Sequence, residues 1–450
     1  MNNKTVIIIT SLIFVVVSLI IGNNIVGAQV AKSVDGQLQV IFTENAATAP
    51  FQFEYDEVKA NPLGRSVTII GFKMHVTDLI PTDMEASSVK LKMPLSRILA
   101  LAKNKDLKSI NNMSIDLQNP VFKSEDSEAK FSAESMKLTF KGEASLFEME
   151  RMDQGILPST KQSIDLHFKD MGWENIEDMM LELPEELKSA FGSKHSQSGD
   201  FRLALAYDPD KKQINLKRWE VNNKRTNIKG QALLNFTGNS FEDFEPKNGH
   251  IKMSYALSQF IDARSDLGEF SLEKAEVILE TDLDFEKTSD NLASGDITSL
   301  TPIKNLSYSM SVEGLKLASA ENLNDIFPQL GTSITFKTFS MNKMTLDFEI
   351  ANKEMELNTL TIQVDDMIDI EGSAKMEYQT LPNQRYDGAE DEVLVFEKAH
   401  LEIESKSDEI DELIQMLEET MPKPFPRKNG KLIIDLSGPL SKPTIKGVTD

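Results

Sequence analysis

One short phrase occurs three times in the chain, and its pattern decides the fold class. It reads Phe140-Lys141-Gly142-Glu143-Ala144, then Ile228-Lys229-Gly230-Gln231-Ala232, and then Ile370-Glu371-Gly372-Ser373-Ala374. In each copy apolar or small residues occupy every second position, which is the period of a β-strand. The repetition therefore predicts a mainly β protein made of repeated strand units, rather than one built around a single catalytic pocket.

The repeat extends upstream of its last two copies. The corresponding positions are Ile214 and Met355, Leu216 and Leu357, Trp219 and Leu360, Val221 and Ile362, Ile228 and Ile370, Gly230 and Gly372, and Ala232 and Ala374. We interpret these segments as two related β-helix-β modules with a degenerate one before them. The alternative is that strand-rich sequences resemble one another by chance, because short alternating patterns carry little information.

Apolar residues at helical spacing predict short amphipathic helices between the strands. They are expected near residues 95–102, 174–191, 322–330 and 408–421. The adjacent pair Phe260 and Ile261 suggests a further helix. Within the strands, a one-residue slip of the alternation at Ile70-Gly71 predicts a β-bulge, and the cluster 208–212 predicts a hairpin turn.

The first 28 residues are predicted to be a targeting segment. Lys4 precedes an apolar run over residues 6–21, and Val26 and Ala28 fit the small-residue rule for a signal peptide cleaved after Ala28. The run is long for a signal-peptide core and short for a span of about 20 residues, so an uncleaved anchor is the alternative. Either interpretation places the rest of the chain outside the cytoplasm.

The composition restricts partners and stabilising bonds. The chain of 450 residues carries a formal net charge of −23 and contains no cysteine. Such acidity argues against nucleic acid as a partner and disfavours tight binding to anionic lipid headgroups. An exported chain without cysteine must be held by burial and sheet hydrogen bonds. Two polar stretches, 288–301 and 381–392, are candidate linkers, and we expect β-rich modules over residues 29–287 and 302–450.

No residue pattern predicts catalysis. The histidines lack the i,i+3 and i,i+4 spacing of zinc ligands; they are His75, His167, His195, His250 and His400. The sequence has no phosphate-binding glycine loop and no nucleophile elbow. We therefore expect a protein that is not an enzyme and holds no metal or cofactor. The remaining catalytic alternative is a hydrolase with non-obvious carboxylates.

The C-terminal stretch 431–447 combines a predicted strand, the corner Gly438-Pro439 and a last strand. It resembles the closing segment of AsmA-like proteins of the Gram-negative envelope, and the stretch 113–122, which contains Asn119-Pro120, is similar to another strand of that family. The resemblance implies an elongated, curved antiparallel sheet with an apolar inner face in the periplasm. It also implies a link to lipid movement or envelope assembly, and it implies no catalytic residues.

Two functions follow from this sequence. The first is an exported, non-catalytic envelope protein whose apolar-faced sheet shields acyl chains, in lipid handling or envelope biogenesis. The alternative is an extracytoplasmic structural or protein-interaction protein with closed β cores. Expected partners are lipid or other envelope proteins. The candidate apolar groove consists of Leu216, Val221, Ile228 and Leu234 in one unit, and of Leu357, Ile362, Ile370 and Met376 in the other.

Overall fold

The computed structural model describes most of the chain after residue 22. The described residues are 23–36, 38–39, 51–76, 82–102, 109–124, 130–145, 155–174, 199–223, 226–265, 268–285, 303–317, 339–351, 354–382 and 390–449. They form a mainly β structure with antiparallel strands, which confirms the predicted fold class. The predicted elongation and curvature stay predictions.

The chain divides into two compact units. The first contains residues 1–224 and 235–245, and the second contains residues 225–234 and 246–450. The candidate linker 288–301 and most of the linker 381–392 lie outside the described residues, so the predicted modules 29–287 and 302–450 stay a prediction. Strand β12, Thr226–Thr237, has residues in both units.

The first unit is an antiparallel sheet in which several strands pair with partners that are not next to them in the chain. Its strands are β1 Phe51–Glu54, β2 Glu57–Asn61, β3 Ser66–Val76, β4 Thr82–Lys92, β5 Ser109–Gln118, β6 Val121–Ser124, β7 Lys130–Ser132, β8 Ser135–Ser145, β9 Gln162–Glu174, β10 Gly199–Asp208 and β11 Gln213–Asn223. Both β1 and β2 pair with β3, and β4 pairs with both β5 and β6. The turn predicted at 208–212 joins β10 to β11 as expected.

The second unit has a simpler strand order. Its further strands are β13 Glu245–Ser265, β14 Gly268–Asp284, β15 Ile303–Leu317, β16 Phe339–Ala351, β17 Glu354–Val364, β18 Ile368–Pro382, β19 Glu390–Ser405, β20 Arg427–Lys428, β21 Lys431–Pro439 and β22 Thr444–Ile445. Strands β13 to β19 pair in chain order, and β19 then pairs with β21. Gly438 and Pro439, the predicted corner, are the last residues of β21, and the turn that leads to β22 follows them directly.

Helices occur at both ends of the described chain. They are α1 over residues 23–36, α2 Leu95–Ala102 and α3 Asp408–Thr420. The predictions for α2 and α3 are confirmed. Ser407 caps α3 by accepting a hydrogen bond from the Ile410 amide, and acidic residues in the first turn suit the helix dipole. The helices predicted at 174–191 and 322–330 lie outside the described residues, apart from Glu174, which ends β9.

The helix suggested by Phe260 and Ile261 is wrong. Both residues lie in β13, where Phe260 is opposite Leu272 and Ile261 is opposite Ser271 of β14. Two adjacent apolar residues fit a helix and a strand equally well, and pairing with the neighbouring strand decides between them.

The bulge predicted at Ile70-Gly71 is also wrong. The pairs Ile70–Ser88 and Phe72–Ala86 keep one register, so neither strand contains an extra residue. Gly71 has a φ of +66°, and the apolar alternation of β4 changes phase opposite it. Residues from both sides of this point, including Ile69, Phe72, Ala86 and Val89, pack in one apolar cluster, so the backbone irregularity at Gly71 keeps them together without an extra residue.

The glycine of the repeated phrase has a packing role. A Cβ at Gly142 would lie 2.6 Å from the carbonyl oxygen of Lys161, and one at Gly372 would lie 2.9 Å from that of His400. Real Cβ atoms do not approach a backbone so closely, so the adjacent strand occupies the side-chain position.

The two units share a detail of register that supports related modules. Between β10 and β11 the pairing shifts by one residue at Leu205–Leu216, and between β16 and β17 it shifts at Phe348–Leu357. Leu216 and Leu357 are corresponding positions of the sequence repeat. Repeated strand hairpins are therefore present, with the same irregularity in the same place, whereas the helices of the predicted β-helix-β modules lie outside the described residues.

Candidate functional site: an apolar sheet face

Cross-strand pairing aligns apolar side chains into continuous rows in the second unit. One row crosses β13 to β21 through Leu257, Ala275, Val312, Met344, Ile362, Ile370, Ile403 and Leu432. The next row consists of Tyr255, Val277, Met310, Leu346, Leu360, Gly372, Leu401 and Ile434. Directly opposite residues share a face, so one side of this sheet is apolar across its width.

All four groove residues predicted in this unit lie on that face. Ile362 is opposite Ile370, while Leu357 is opposite Ala374, two residues before Met376. Leu357 and Ile362 are an odd number of residues apart, and the bulge between β16 and β17 brings them to the same side. All four side chains are half-buried.

The first unit has rows of the same kind. One contains Ile69, Val89, Leu117, Met136, Phe168, Phe201 and Val221, and a neighbouring one contains Val67, Leu91, Ile115, Leu138, Leu166, Leu203 and Trp219. A third row includes Ile164, Leu205 and Leu216, of which Ile164 and Leu205 are exposed. An exposed apolar pair in the middle of a sheet is not what a closed core produces.

The other four residues of the predicted groove are divided between the two units. Leu216 and Val221 belong to the first unit, whereas Ile228 and Leu234 belong to the second through β12. All four are half-buried, like their counterparts. The structure thus brings Leu216 and Val221 onto one strand and one apolar face, and it assigns Ile228 and Leu234 to a different compact unit.

Among the described residues, fully buried apolar clusters lie close to the helices or in the first strands. One joins α1, β3 and α2 through Val30, Val34, Val67 and Ile98. A second lies within the first unit and contains Ile69, Ala86, Val89 and Leu117. The third joins α3 to β21 through Ile410, Ile414, Phe425, Leu432 and Val448. None of the eight groove residues belongs to these buried clusters.

The opposite face of the sheet is polar and is held by cross-strand ion pairs. The Nδ1 atom of His400 lies 2.7 Å from Asp435 on the neighbouring strand, and His250 lies 2.9 Å from Asp282 in the same way. The hydrogen bond to Asp435 raises the pKa of His400, and the hydrogen bond from His250 lowers the pKa of Asp282. Sequence reasoning missed these pairs because the partners are far apart in the chain.

His167 differs from these histidines. Its Nε2 atom is buried, has no hydrogen-bond partner among the described residues, and lies 3.9 Å from Asp200. Burial lowers the pKa of His167, and the nearby Arg202 lowers it further. His75 follows the common arrangement, with Asp83 at 2.8 Å, and His195 lies outside the described residues.

Two depressions on the described surface of the first unit have mainly polar linings. One of about 400 Å³ is lined by Lys141, Lys161, Tyr207, Asp208 and Lys217, among others. Lys161 bridges Asp208 at 3.2 Å and Asp210 at 3.1 Å, so it holds the turn between β10 and β11. Because the depression lies on the polar face, it offers no apolar cavity for an acyl chain.

The described part of the chain contains neither a metal-binding cluster nor a membrane-spanning helix. No group of three or more His, Cys, Asp or Glu residues is placed to hold a metal ion. No described helix has the length and apolar character needed to cross a membrane. The run 6–21 lies outside the described residues.

Comparison of the chain with protein-family models, with curated proteins and with solved structures gives no match. The resemblance to AsmA-like proteins thus rests on the sequence, namely on the C-terminal and Asn119-Pro120 segments together with the apolar N-terminal run and the β repeats.

Proposed function

We propose that the protein is a non-catalytic, exported envelope protein that shields lipid acyl chains on the apolar face of its sheet. The observation that carries the proposal is the half-burial of Ile362 and Ile370 at the centre of this face, in contrast to Leu432, which is buried where α3 covers the sheet. An apolar surface that remains open to water is unfavourable by about 25 cal/mol per Å². A ligand with an apolar chain removes that cost when it binds.

The layout of the strands supports an extended ligand rather than a compact one. The rows of the second unit cross eight strands, which are spaced about 4.8 Å apart. A continuous apolar band of this kind suits an acyl chain laid across the strands, whereas a compact ligand needs an enclosed cavity. The resemblance to AsmA-like proteins, with their implied link to lipid movement, points in the same direction.

The contacts of the N-terminal helix α1 favour an uncleaved membrane anchor over a signal peptide that is cleaved after Ala28. Helix α1 passes through the predicted cleavage position at Ala28, and Val26 packs against the buried cluster of Val30 and Val67. Asn23 accepts a 2.8 Å hydrogen bond from the Leu63 amide. Cleavage after Ala28 would remove these contacts, so we propose that residues 6–21 stay attached and hold the protein at the membrane.

A structural or protein-interaction role is the second candidate, and the three buried clusters favour it. They show that each unit can close a core where α1, α2 or α3 covers the sheet. In that case the apolar rows would pack against another protein instead of lipid. Both candidates agree on an extracytoplasmic, non-enzymatic protein.

Site-specific photocrosslinking distinguishes the candidates. A photoreactive amino acid at Ile370 lies on the apolar face, and at Glu371 it lies on the exposed opposite side of the same strand. After irradiation in a Gram-negative host, we expect lipid adducts on the peptide carrying position 370 and none at position 371. Protein adducts at 370 without lipid would contradict the lipid proposal and support the structural one.

A further inference from the structure

The end of the first unit that carries α1 exposes large apolar side chains. The exposed fractions are 64% for Ile25, 59% for Leu63, and 40% each for Leu95 and Leu99. Leu95 and Leu99 are four residues apart and therefore share one side of α2. Single exposed leucines are ordinary, whereas a group contributed by several neighbouring elements marks an interaction surface.

Direct contacts show that these residues belong to one end of the unit. The Leu63 amide donates a hydrogen bond to Asn23 at the start of α1, and the Met93 amide donates a 3.1 Å bond to the Arg65 carbonyl. The turn 62–65 thus contacts both α1 and the segment that leads into α2. A buried cluster that includes Val30 of α1, Val67 of β3 just after the turn, and Ile98 of α2 also joins these elements. We call the exposed part of this end the α1-end surface.

The charge of the α1-end surface is opposite to that of the chain. Its segments 23–34, 58–68 and 88–102 contain no Asp or Glu, although the net charge of the chain is −23. Their cationic residues are Lys32, Lys59, Arg65, Lys90, Lys92 and Arg97. Acidic groups lie at the borders of these segments and on β5, where Asp116 is directly opposite Lys90. Glu57 pairs with Lys59 at 2.8 Å, and Asp35 accepts a 2.7 Å hydrogen bond from Tyr55, whose pKa is raised to about 12 by burial and this bond.

We propose that the α1-end surface docks on an anionic lipid bilayer. Exposed leucine and isoleucine side chains can enter the headgroup region, while lysine and arginine side chains contact anionic headgroups and reach water along their stems. The apolar run 6–21 directly precedes α1 in the sequence, so a membrane that holds this run lies next to Ile25. Both the charge and the position match a bilayer surface.

This inference is independent of what the apolar sheet face binds. Docking would orient the first unit at the membrane whether the sheet carries lipid or packs against a protein. The two proposals therefore fail separately, since one concerns the α1-end surface and the other concerns rows that include Ile362 and Ile370.

The absence of cysteine allows a direct test in the full chain. Single-cysteine variants Leu63→Cys and Leu99→Cys, with Leu440→Cys as an exposed control in the second unit, receive an environment-sensitive dye. Each is reconstituted into vesicles of phosphatidylcholine, or of phosphatidylcholine with phosphatidylglycerol. The chain is reconstituted into both kinds of vesicle. The dye therefore reports whether the α1-end surface lies on the bilayer, and not whether the protein binds to the vesicle.

We expect the dyes at positions 63 and 99 to emit at shorter wavelength and to be quenched several-fold less by aqueous acrylamide in anionic vesicles, with no change at position 440. Adding Arg65→Glu and Lys92→Glu should abolish the shift, and Lys442→Glu should leave it intact. Circular dichroism confirms that each variant is folded. Equal quenching at all three positions, or an emission shift that persists in the Arg65→Glu and Lys92→Glu variants, would overturn the proposal.

Discussion

Ile362 on β17 lies directly opposite Ile370 on β18, and neither side chain is fully buried. Met344 and Ile403 continue the same row on the outer sides of the pair. In a sandwich core, apolar residues at the centre of a sheet are covered by a second layer. The half-burial of this pair therefore distinguishes a sheet face that can bind a ligand from a face that is covered in a closed core.

The buried cluster beneath α2 should dominate the stability of the first unit. Ile98 is completely buried and Leu99, the next residue of the same helix, is exposed. We expect Ile98→Ala to lower the free energy of unfolding by about 2–5 kcal/mol, because it removes packed methylene groups and leaves a cavity. Leu99→Ala is the matched control and should cost less than about 1 kcal/mol. Urea denaturation measures both, and equal losses would contradict the assignment of the two helix faces.

The positive φ and the close packing of Gly71 can be tested by substitution. Its φ of +66° disfavours any Cβ, and the Asp56 carboxylate occupies the space that a Cβ would take. We expect Gly71→Ala to destabilise the protein by about 2 kcal/mol more than Gly155→Ala, which has a φ of +75° but open space around it. In an Asp56→Ala background the difference should shrink, since only the backbone strain then remains. No difference between the two glycines would show that Asp56 does not fill this space.

The histidines of the polar face should titrate in a fixed order. The pKa of His400 is raised by its hydrogen bond to Asp435, and that of His167 is lowered by burial. The contribution of His400 to stability is therefore complete below its unfolded pKa of about 6.5 and is lost as pH rises through its folded pKa. For His167 the sign is opposite: stability is present above about 6.5 and is lost as pH falls through the lowered pKa.

Imidazole NMR titration measures this order. The midpoint of His400 should lie above that of His167, and Asp435→Asn should move the His400 midpoint downwards without changing that of His167. A reversed order, or a His400 midpoint that is unchanged by Asp435→Asn, would contradict the cross-strand pair of His400 and Asp435.

The sequence predicts the features of this fold that depend on local pattern. Helices α2 and α3, the turn at 208–212 and the corner at Gly438-Pro439 each have a periodicity or a turn signal within a few residues. The bulge expected at Ile70-Gly71 is absent because the compensating phase change lies on β4, at Ser87 and Ser88 opposite this position. A slip in one strand cannot be interpreted until its partner and register are known.

The candidate site shows a similar limit. Alternation identifies Ile362 and Ile370 as residues of an apolar face, but an open face and a closed core produce the same alternation. Burial depends on what covers the sheet, which is a tertiary property. The His400–Asp435 pair likewise depends on the register between β19 and β21, which no local signal in the sequence determines.

The most direct measurement compares lipid content and thermal unfolding of the charge variants Ile370→Glu and Ile228→Glu with the unmodified protein. Val364→Glu, at a buried position on β17, is the control for a true core and should lose several kcal/mol of stability. Glu371→Lys, on the opposite side of β18, is the control for charge alone.

We expect Ile370→Glu and Ile228→Glu to retain most of the melting temperature and to lose most of the co-purified lipid, because a half-buried carboxylate stays hydrated but repels an acyl chain. Glu371→Lys should change neither quantity. If Ile370→Glu unfolds the protein as Val364→Glu does, and no preparation contains lipid, the apolar face is a closed core and the lipid-handling account is contradicted.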